Sequence, residues 1–262
     1  MRILFIGDIV SEAGRKMVRD FLPKLKEQHS PDVVIANGEN MAGGKGVTAK
    51  TYLEVVQSGV DIVTGGNHSL DKKDGHCLFD EEPYLLRPAN FPPECPGKGY
   101  TTYALRDGRS LGVLSIQGRT FMEPLECPFR MSEKIVNEML QKTKFIFVDF
   151  HAEASSEKVA MGWHLDGKAS VVVGTHTHVQ TADERILPKG TAVITDVGMT
   201  GPYDSVIGVQ KQIILDRIIY RKHEKFEPAE HDPMLCGIVA DLDDDSGRAT
   251  RIERIRLARF QS

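Results

Sequence analysis

The sequence predicts an α/β fold in which two β-sheets face each other and the helices lie outside, as a layered sandwich. First, residues 2–64 read as strand, helix, strand, helix, strand, which is typical of a parallel sheet with right-handed crossovers. Second, two more buried-strand patterns, 144–150 and 169–174, follow later in the chain. Third, no internal repeat, low-complexity segment or linker divides the 262 residues, so we expect one domain over 1–262.

The first half contains three short apolar runs that predict buried strands, at residues 2–7, 32–36 and 61–64. Residues 12–28 place apolar side chains at helical spacing, and Pro23 predicts a kink or an earlier end of that helix. Residues 48–58 predict a second helix, for which Thr48 is a suitable N-cap.

The second half begins with a hairpin pattern, because the alternating segments 100–105 and 111–117 flank Asp107-Gly108. A helix is expected near 153–164, between the two strands named above. Further strands are predicted at 191–196, 237–242 and 251–257, the last as a half-exposed edge strand that could cover an edge or pair with another subunit of a homo-oligomer.

Composition restricts the class of protein. Hydrophobic residues make up 40% and charged residues 27%, as in globular domains. A net charge of -4 makes a basic face for duplex nucleic acid unexpected, so small phosphorylated substrates fit better. Four cysteines without a CxxC pair predict reduced thiols. Without a signal segment or a run of membrane-spanning length, we expect a cytoplasmic protein with no membrane partner.

Polar residues that can bind metals follow five of the predicted strands. They are Asp8, Glu39, Asn40, Asn67 with His68, His151, and the pair His176 and His178. Ligands of open α/β sheets bind outside the carboxyl ends of the strands, so these side chains can converge on one crevice.

Each residue alone also has a structural explanation. Asp8 could cap the following helix, Asn67 could be a turn residue, and His151 could be a hydrogen-bonded core histidine. His176 and His178 are harder to explain this way, because an HxH pair in a strand extension points both rings to one side. The coincidence of all of them at strand ends favours a metal site.

The donor types indicate which metals fit. Carboxylate, amide and imidazole donors without thiolate suit Mn, Fe or Zn. Seven ligands exceed one tetrahedral site and suit two ions about 4 Å apart that share a carboxylate, for which Glu39 is the candidate. The expected chemistry is attack of hydroxide on phosphorus. His68 would protonate the leaving oxygen, or else only support Asn67.

Two competing motifs carry less weight. Residues 108–112 match G-x-S-x-G, but they lie in the predicted hairpin and not in a strand-turn-helix, so we expect a turn. The glycine-rich loop 38–48 fails the P-loop spacing, because Gly44 stands where lysine is needed.

At these residues the sequence resembles the calcineurin-like metallophosphoesterases, through Asp8, GNH at 66–68, His151 and GTHTH at 174–178. Val10 replaces the usual histidine of D-x-H, and NGEN at 37–40 replaces the GDxxDR block. Those departures resemble the bacterial YmdB-like phosphodiesterase branch. Further segments resemble that branch along the whole chain, including RPANFP, QGRTFM, DFHAEASSEK and ILPKGTAVITDVGMTGPYDSVIG.

The resemblance implies a four-layer α/β/β/α sandwich of two mixed sheets and a dinuclear site with iron or manganese. One metal would take Asp8, Glu39, Asn40 and His178, and the other Glu39, Asn67, His151 and His176, with Asn40 replacing the ligand lost at Val10. The implied activity is hydrolysis of 2',3'-cyclic and 3',5'-cyclic nucleotides.

Two alternatives stand beside this hypothesis: a phosphomonoesterase or nucleotidase, and a metal-dependent nucleotide-binding regulator with little turnover. The sequence does not identify the substrate-binding residues. Lys45, Arg119 and Thr177 are candidates for contacts to the leaving group.

Overall fold

The computed structural model describes residues 1–258. The first sheet comprises β1 (Arg2–Ile6), β2 (Val33–Asn37), β3 (Ile62–Thr64), β10 (Gly201–Pro202), β11 (Pro233–Leu242) and β12 (Ala249–Ala258). The second comprises β4 (Tyr100–Ala104), β5 (Ser110–Gln117), β6 (Ile146–His151), β7 (Val171–Thr175), β8 (Arg185–Ile186) and β9 (Ala192–Ile194). The α-helices are α1 (Ser11–His29), α2 (Ala49–Gln57), α3 (His76–Glu81), α4 (Pro128–Met139), α5 (Ser155–His164) and α6 (Lys211–Tyr220).

Both sheets are mixed. In the first sheet β1, β2 and β3 are parallel neighbours, while β11 pairs antiparallel with β1 and carries β12 on its other side. In the second sheet β5, β6, β7 and β9 are parallel, and β4 and β8 pair antiparallel at the two ends. The parallel strands of each sheet therefore end together, and these ends hold the predicted ligands.

Three apolar layers hold the fold together. Side chains such as Phe5 and Ile35 of the first sheet meet Phe147 and Val173 of the second between the two sheets. Helices α1, α2 and α3 cover the outer face of the first sheet, and α4 and α5 cover that of the second. The predicted four-layer α/β/β/α sandwich is therefore confirmed.

The predicted elements of the first half are present, with one difference in α1. Pro23 was expected either to kink the helix or to end it early; the early end was wrong, because α1 continues to His29. An internal proline costs about 3 kcal/mol. Leu22 and Leu25 on either side of it are buried against the first sheet, and each contributes roughly 1.5–3 kcal/mol. Thr48 caps α2 through its side chain, as predicted.

The sequence analysis missed three helices: α3 in the first half of the chain, and α4 and α6 after the hairpin of β4 and β5. Helix α4 carries proline at its first position, a usable start signal. Helix α6 buries none of its residues and exposes Leu215, Ile218, Ile219 and Tyr220. The β4–β5 hairpin and the edge strand β12 agree with prediction, and residues 108–112 lie in that hairpin. Across residues 1–258, no helix is long and apolar enough to cross a membrane.

Candidate metal centre

The seven predicted ligands lie where parallel strands of the two sheets end side by side. Asp8, Glu39, Asn40 and Asn67 follow β1, β2 and β3 of the first sheet, whereas the three histidines belong to β6 and the loop after β7 of the second. Hydrogen bonds join the two groups directly, since the His176 backbone N–H donates to Asp8 Oδ2 over 3.2 Å. Each sheet therefore supplies half of the site.

Three candidate donor groups converge around His151. Its Nε2 lies 3.0 Å from Asn67 Oδ1, 3.0 Å from His176 Nδ1 and 3.2 Å from Glu39 Oε1. The ligand atoms of Glu39, His151 and His176 all lie within 4.8 Å of one another. These four residues are the set that the resemblance implies for one metal ion.

The other implied set lies on the opposite side of Glu39. Asn40 Nδ2 is 2.8 Å from Glu39 Oε1 and 3.3 Å from His178 Nε2, and His178 Nε2 is 4.0 Å from Asp8 Oδ1. Half a turn of the Asn40 amide presents its oxygen, the atom that binds cations, at the same point. Glu39 Oε1 is thus close to both sets, as a bridging carboxylate must be.

Each histidine directs one ring nitrogen into the site and holds the other outside it. His151 Nδ1 lies 2.9 Å from Thr175 Oγ1, and His178 Nδ1 lies 2.9 Å from the Ile207 carbonyl oxygen. His176 Nε2 pairs with Glu153 at 3.0 Å. Outer partners of this kind orient histidine ligands in metal sites.

The loop after β7 presents His176 and His178 differently from the prediction. The pair was expected to extend a strand, but β7 ends at Thr175, and the two histidines have φ angles of 100° and 64°. Such left-handed backbone is unusual for a residue other than glycine and costs roughly 1–3 kcal/mol each. Asp196 supports the loop by accepting hydrogen bonds from both the backbone N–H and the hydroxyl of Thr177.

Two observations test whether a cation fits this site. Asp8 is fully buried, yet its Oδ1 has no hydrogen-bond partner among the described residues, which leaves an anionic oxygen free for a cation. Gly66 leaves space beside the donors, because a Cβ there would lie 2.3 Å from Glu39 Oε2 and 2.4 Å from His151 Nε2. Oxygen and imidazole donors around this space fit divalent transition-metal ions.

The charges in the site are strongly coupled. Burial raises the pKa of Glu39, but the charge and hydrogen bond of His151 outweigh burial and lower it to about 2. Burial lowers the pKa of His151, whereas Glu39 and Asp8 raise it to about 9. Burial and the charge of His151 lower the pKa of His176 to about 3. Burial raises the pKa of Asp8 to about 6. A buried Glu39–His151 ion pair therefore occupies the metal-free site, and a cation must displace its proton.

His68 lies at the rim, as expected of a proton donor to a leaving group. Its backbone N–H donates to Glu39 Oε2 over 2.8 Å, and its ring Nδ1 lies 2.9 Å from Asp71 Oδ2. About 39% of the side chain is exposed, so the ring can reach a ligand. Asp71 also lies 3.4 Å from Lys45 Nζ, which places that candidate substrate contact at the same rim.

The other candidate substrate contacts have structural partners. The Thr177 hydroxyl donates to Asp196 over 2.7 Å. The backbone N–H of Arg119 donates to Glu157, which anchors the loop after β5. Sequence analysis also missed Asp149, Thr175 and Asp196, which support the ligands. Asp149 could have been noticed, because it precedes His151 by two residues within an apolar strand and therefore shares its face.

Comparison with known proteins agrees with this geometry. The sequence profile described as "YmdB-like protein" matches residues 4–255. The chain belongs to the YmdB-like protein family.

Several known proteins resemble the chain over nearly its full length. A protein named 2',3'-cyclic-nucleotide 2'-phosphodiesterase from Bacillus subtilis (strain 168) is 53% identical over 255 residues, covering 97% of this chain and 96% of that protein. A crystal structure of a hypothetical protein from Thermus thermophilus superimposes with a TM-score of 0.92 at 41% identity, over 98% of this chain and 99% of that one.

A further structure, described as a novel phosphatase from Mycoplasma pneumoniae, has a TM-score of 0.93 at 32% identity and covers 98% of this chain and 93% of that one. Together these findings confirm the predicted family, the fold and the assignment of the chain as a phosphoesterase enzyme. The fold implies divalent metal ions, for which the Glu39, His151 and His176 cluster offers a site.

Proposed function

We propose that the chain is a dinuclear metal-dependent phosphodiesterase that hydrolyses cyclic nucleotides. The observation that carries the proposal is the convergence on His151 Nε2 of Asn67 Oδ1, His176 Nδ1 and Glu39 Oε1 at 3.0–3.2 Å. One ion would bind there, and a second between Asp8, Asn40 and His178, with Glu39 shared. Two such ions, when bound, lower the pKa of a coordinated water and hold phosphate oxygens.

The protein side chains supply the remaining chemistry. Asp71 accepts a hydrogen bond from Nδ1–H of the His68 ring and would stabilise its imidazolium form, whose Nε2–H proton is the one given to the departing oxygen, leaving a neutral ring. The carboxylates of Asp8 and Glu39 would hold the cations, and their burial closes that side of the site to water. The backbone N–H of His68 donates to Glu39 Oε2 over 2.8 Å, which holds His68 beside the proposed metal centre.

For the substrate we propose 2',3'-cyclic nucleotides first, with 3',5'-cyclic nucleotides as a second group. The support is the name of the Bacillus subtilis relative. Iron or manganese is the proposed metal, with zinc as an alternative, because these metals share the donor types present.

A substrate panel tests the proposal. The metal-free protein is loaded with Mn²⁺ or Fe²⁺ and assayed with 2',3'-cAMP, 3',5'-cAMP, bis-p-nitrophenyl phosphate and p-nitrophenyl phosphate. We expect hydrolysis of the diesters, with 2',3'-cAMP converted to the 3'-monophosphate. Turnover of the monoester alone would favour the phosphomonoesterase alternative. Tight nucleotide binding without turnover would favour the regulator.

Replacing His68 by alanine tests the proton-donor role. Loss of general-acid catalysis costs about 10²–10⁴-fold in rate. The loss of rate should be large for 2',3'-cAMP, because its ribose alkoxide is a poor leaving group without a proton. The loss should be much smaller for bis-p-nitrophenyl phosphate, because nitrophenolate leaves without a proton. Rates for both substrates give the measurement, and His76→Ala provides a control histidine, since His76 bonds only the Leu70 carbonyl oxygen. An equal loss on both substrates would contradict the role.

We also propose that residues 1–262 form a single domain, which the division of the ligands between both sheets supports. A homo-oligomer is proposed because α6 exposes apolar side chains that a second copy would cover. A cytoplasmic location is proposed from the cysteines, all four of which are free in the described chain.

A further inference from the structure

A buried chain of hydrogen bonds runs from Asp149 of β6, through Thr175 of β7, to the ring of His151. The Thr175 hydroxyl donates to Asp149 Oδ1 over 2.7 Å, and the same Thr175 oxygen lies 2.9 Å from His151 Nδ1. Asp149 and Thr175 are fully buried, so neither can touch a substrate. Neither is among the predicted metal ligands.

The direction of these hydrogen bonds follows from the chemistry of the groups. A carboxylate only accepts hydrogen bonds, so the single hydroxyl proton of Thr175 is directed to Asp149. The Thr175 oxygen must then accept the Nδ1 proton of His151. A histidine that binds a metal must be neutral and then carries one N–H; with that proton on Nδ1, Nε2 is left with its lone pair. That nitrogen is the atom that faces Glu39, Asn67 and His176.

We propose that Asp149 and Thr175 are positioning residues that fix the tautomer of His151 for metal binding. The inference rests on the proposed metal centre and extends it to residues outside the ligand set. Without this chain of bonds, the neutral His151 ring can keep its proton on Nε2, the atom that must bind the metal, and metal binding is weakened.

Asp149 also connects the two sheets beneath the site. Its Oδ2 accepts hydrogen bonds from Asn37 Nδ2 at 2.9 Å and from the Thr64 hydroxyl at 2.5 Å, both on the first sheet. Asn37 in turn accepts the backbone N–H of Glu39 over 3.2 Å. One buried carboxylate therefore holds both the orientation of His151 and the loop that carries the proposed bridging ligand.

The test compares two buried threonines of the second half of the chain. Thr175→Val removes the hydroxyl that links Asp149 to His151 while keeping the shape of the side chain. Thr191→Val is the matched control, because Thr191 is equally buried and its hydroxyl donates to the Ala169 carbonyl oxygen over 2.6 Å. Both variants lose a buried hydroxyl, so both should have a lower Tm in EDTA.

Mn²⁺ affinity, measured by calorimetry on metal-free protein, distinguishes the two variants. Loss of an outer partner of a histidine ligand typically weakens metal binding 10–100-fold. We expect that loss for Thr175→Val, recovery for Thr175→Ser, and an affinity within about twofold of wild type for Thr191→Val, since its hydroxyl meets no ligand. In ¹⁵N-histidine spectra of Zn²⁺-loaded wild type, one histidine should carry its proton on Nδ1 hydrogen-bonded to the threonine, and that signal should change in Thr175→Val alone.

Asp149→Asn provides a second variant. The amide that replaces the carboxylate must direct its NH₂ group either at Asn37 Nδ2, which is also a donor, or at the Thr175 hydroxyl. In the second arrangement the hydroxyl accepts from the amide and donates to His151 Nδ1, so both hydrogen bonds are reversed. Mn²⁺ affinity should fall 10–100-fold in either arrangement. Equal affinities for wild type and Thr175→Val, or equal losses in both threonine variants, would overturn the inference and leave the metal centre standing. Failure of wild type to bind Mn²⁺ would overturn both.

Discussion

Glu39→Gln abolishes the binding of both metal ions and lowers phosphodiesterase activity by about 10³-fold or more, the expected result if this carboxylate bridges the two sites. Glu39 Oε1 lies 3.2 Å from His151 Nε2 and 2.8 Å from Asn40 Nδ2, so it serves both proposed ligand sets. An amide is neutral and offers one oxygen. Metal ions contribute several kcal/mol of transition-state stabilisation, and each 1.36 kcal/mol is a factor of ten in rate.

The measurement is metal content per chain by mass spectrometry, together with the rate on 2',3'-cAMP. Glu133→Gln is the control, because Glu133 lies on α4 and pairs with Lys168 away from the site. It should retain two ions per chain and full activity. Retention of both ions by Glu39→Gln would show that Glu39 is not the bridge, and unchanged turnover would refute the catalytic proposal.

Asp8→Asn should have opposite effects on stability and function. Asp8 is fully buried, and its Oδ1 has no partner among the described residues, while Oδ2 accepts the His176 N–H over 3.2 Å. An amide can keep that hydrogen bond and removes a buried charge. A buried charge costs more than a neutral amide at the same place, so in EDTA the variant should have a free energy of unfolding higher by about 1–3 kcal/mol.

With Mn²⁺ present the order of stability should reverse. Wild type gains stability from bound metal by mass action, whereas the variant has lost an anionic ligand and gains less. Its activity should fall by roughly the same factor as that of Glu39→Gln. Urea unfolding with EDTA and with Mn²⁺ measures both effects. A metal-free variant that is less stable than wild type would show that Asp8 has a structural role instead.

The sequence was sufficient for the fold and for the position of the site because both depend on local patterns. Apolar runs identify buried strands, and polar residues directly after them lie at the carboxyl ends of the sheets. Helix α6 escaped prediction for a physical reason: its apolar residues do not face the core, so no one-sided apolar stripe marks it. Helix α4 was missed despite the proline at its start.

The supporting residues of the site were harder to predict than the ligands. Thr175 and Asp196 act through hydrogen bonds between residues distant in sequence, which no spacing encodes, and only Asp149, two residues before His151, left a signal in the sequence. The loop geometry of His176 and His178 was predicted wrongly, since left-handed backbone at two histidines is imposed by tertiary contacts and not by local preference.

The pairing of β1 has a consequence for synthesis of the chain. β1 lies between β2 and β11, and β11 (Pro233–Leu242) comes far later in the chain. While the chain is being made, one side of β1 has no partner until residues 233–242 have left the ribosome. An unpaired strand edge invites aggregation. Four of the proposed ligands emerge from the ribosome long before His178. The nascent first sheet must therefore wait for both β11 and its metal. During that interval it stays folding-competent only if aggregation is slow or chaperones protect it.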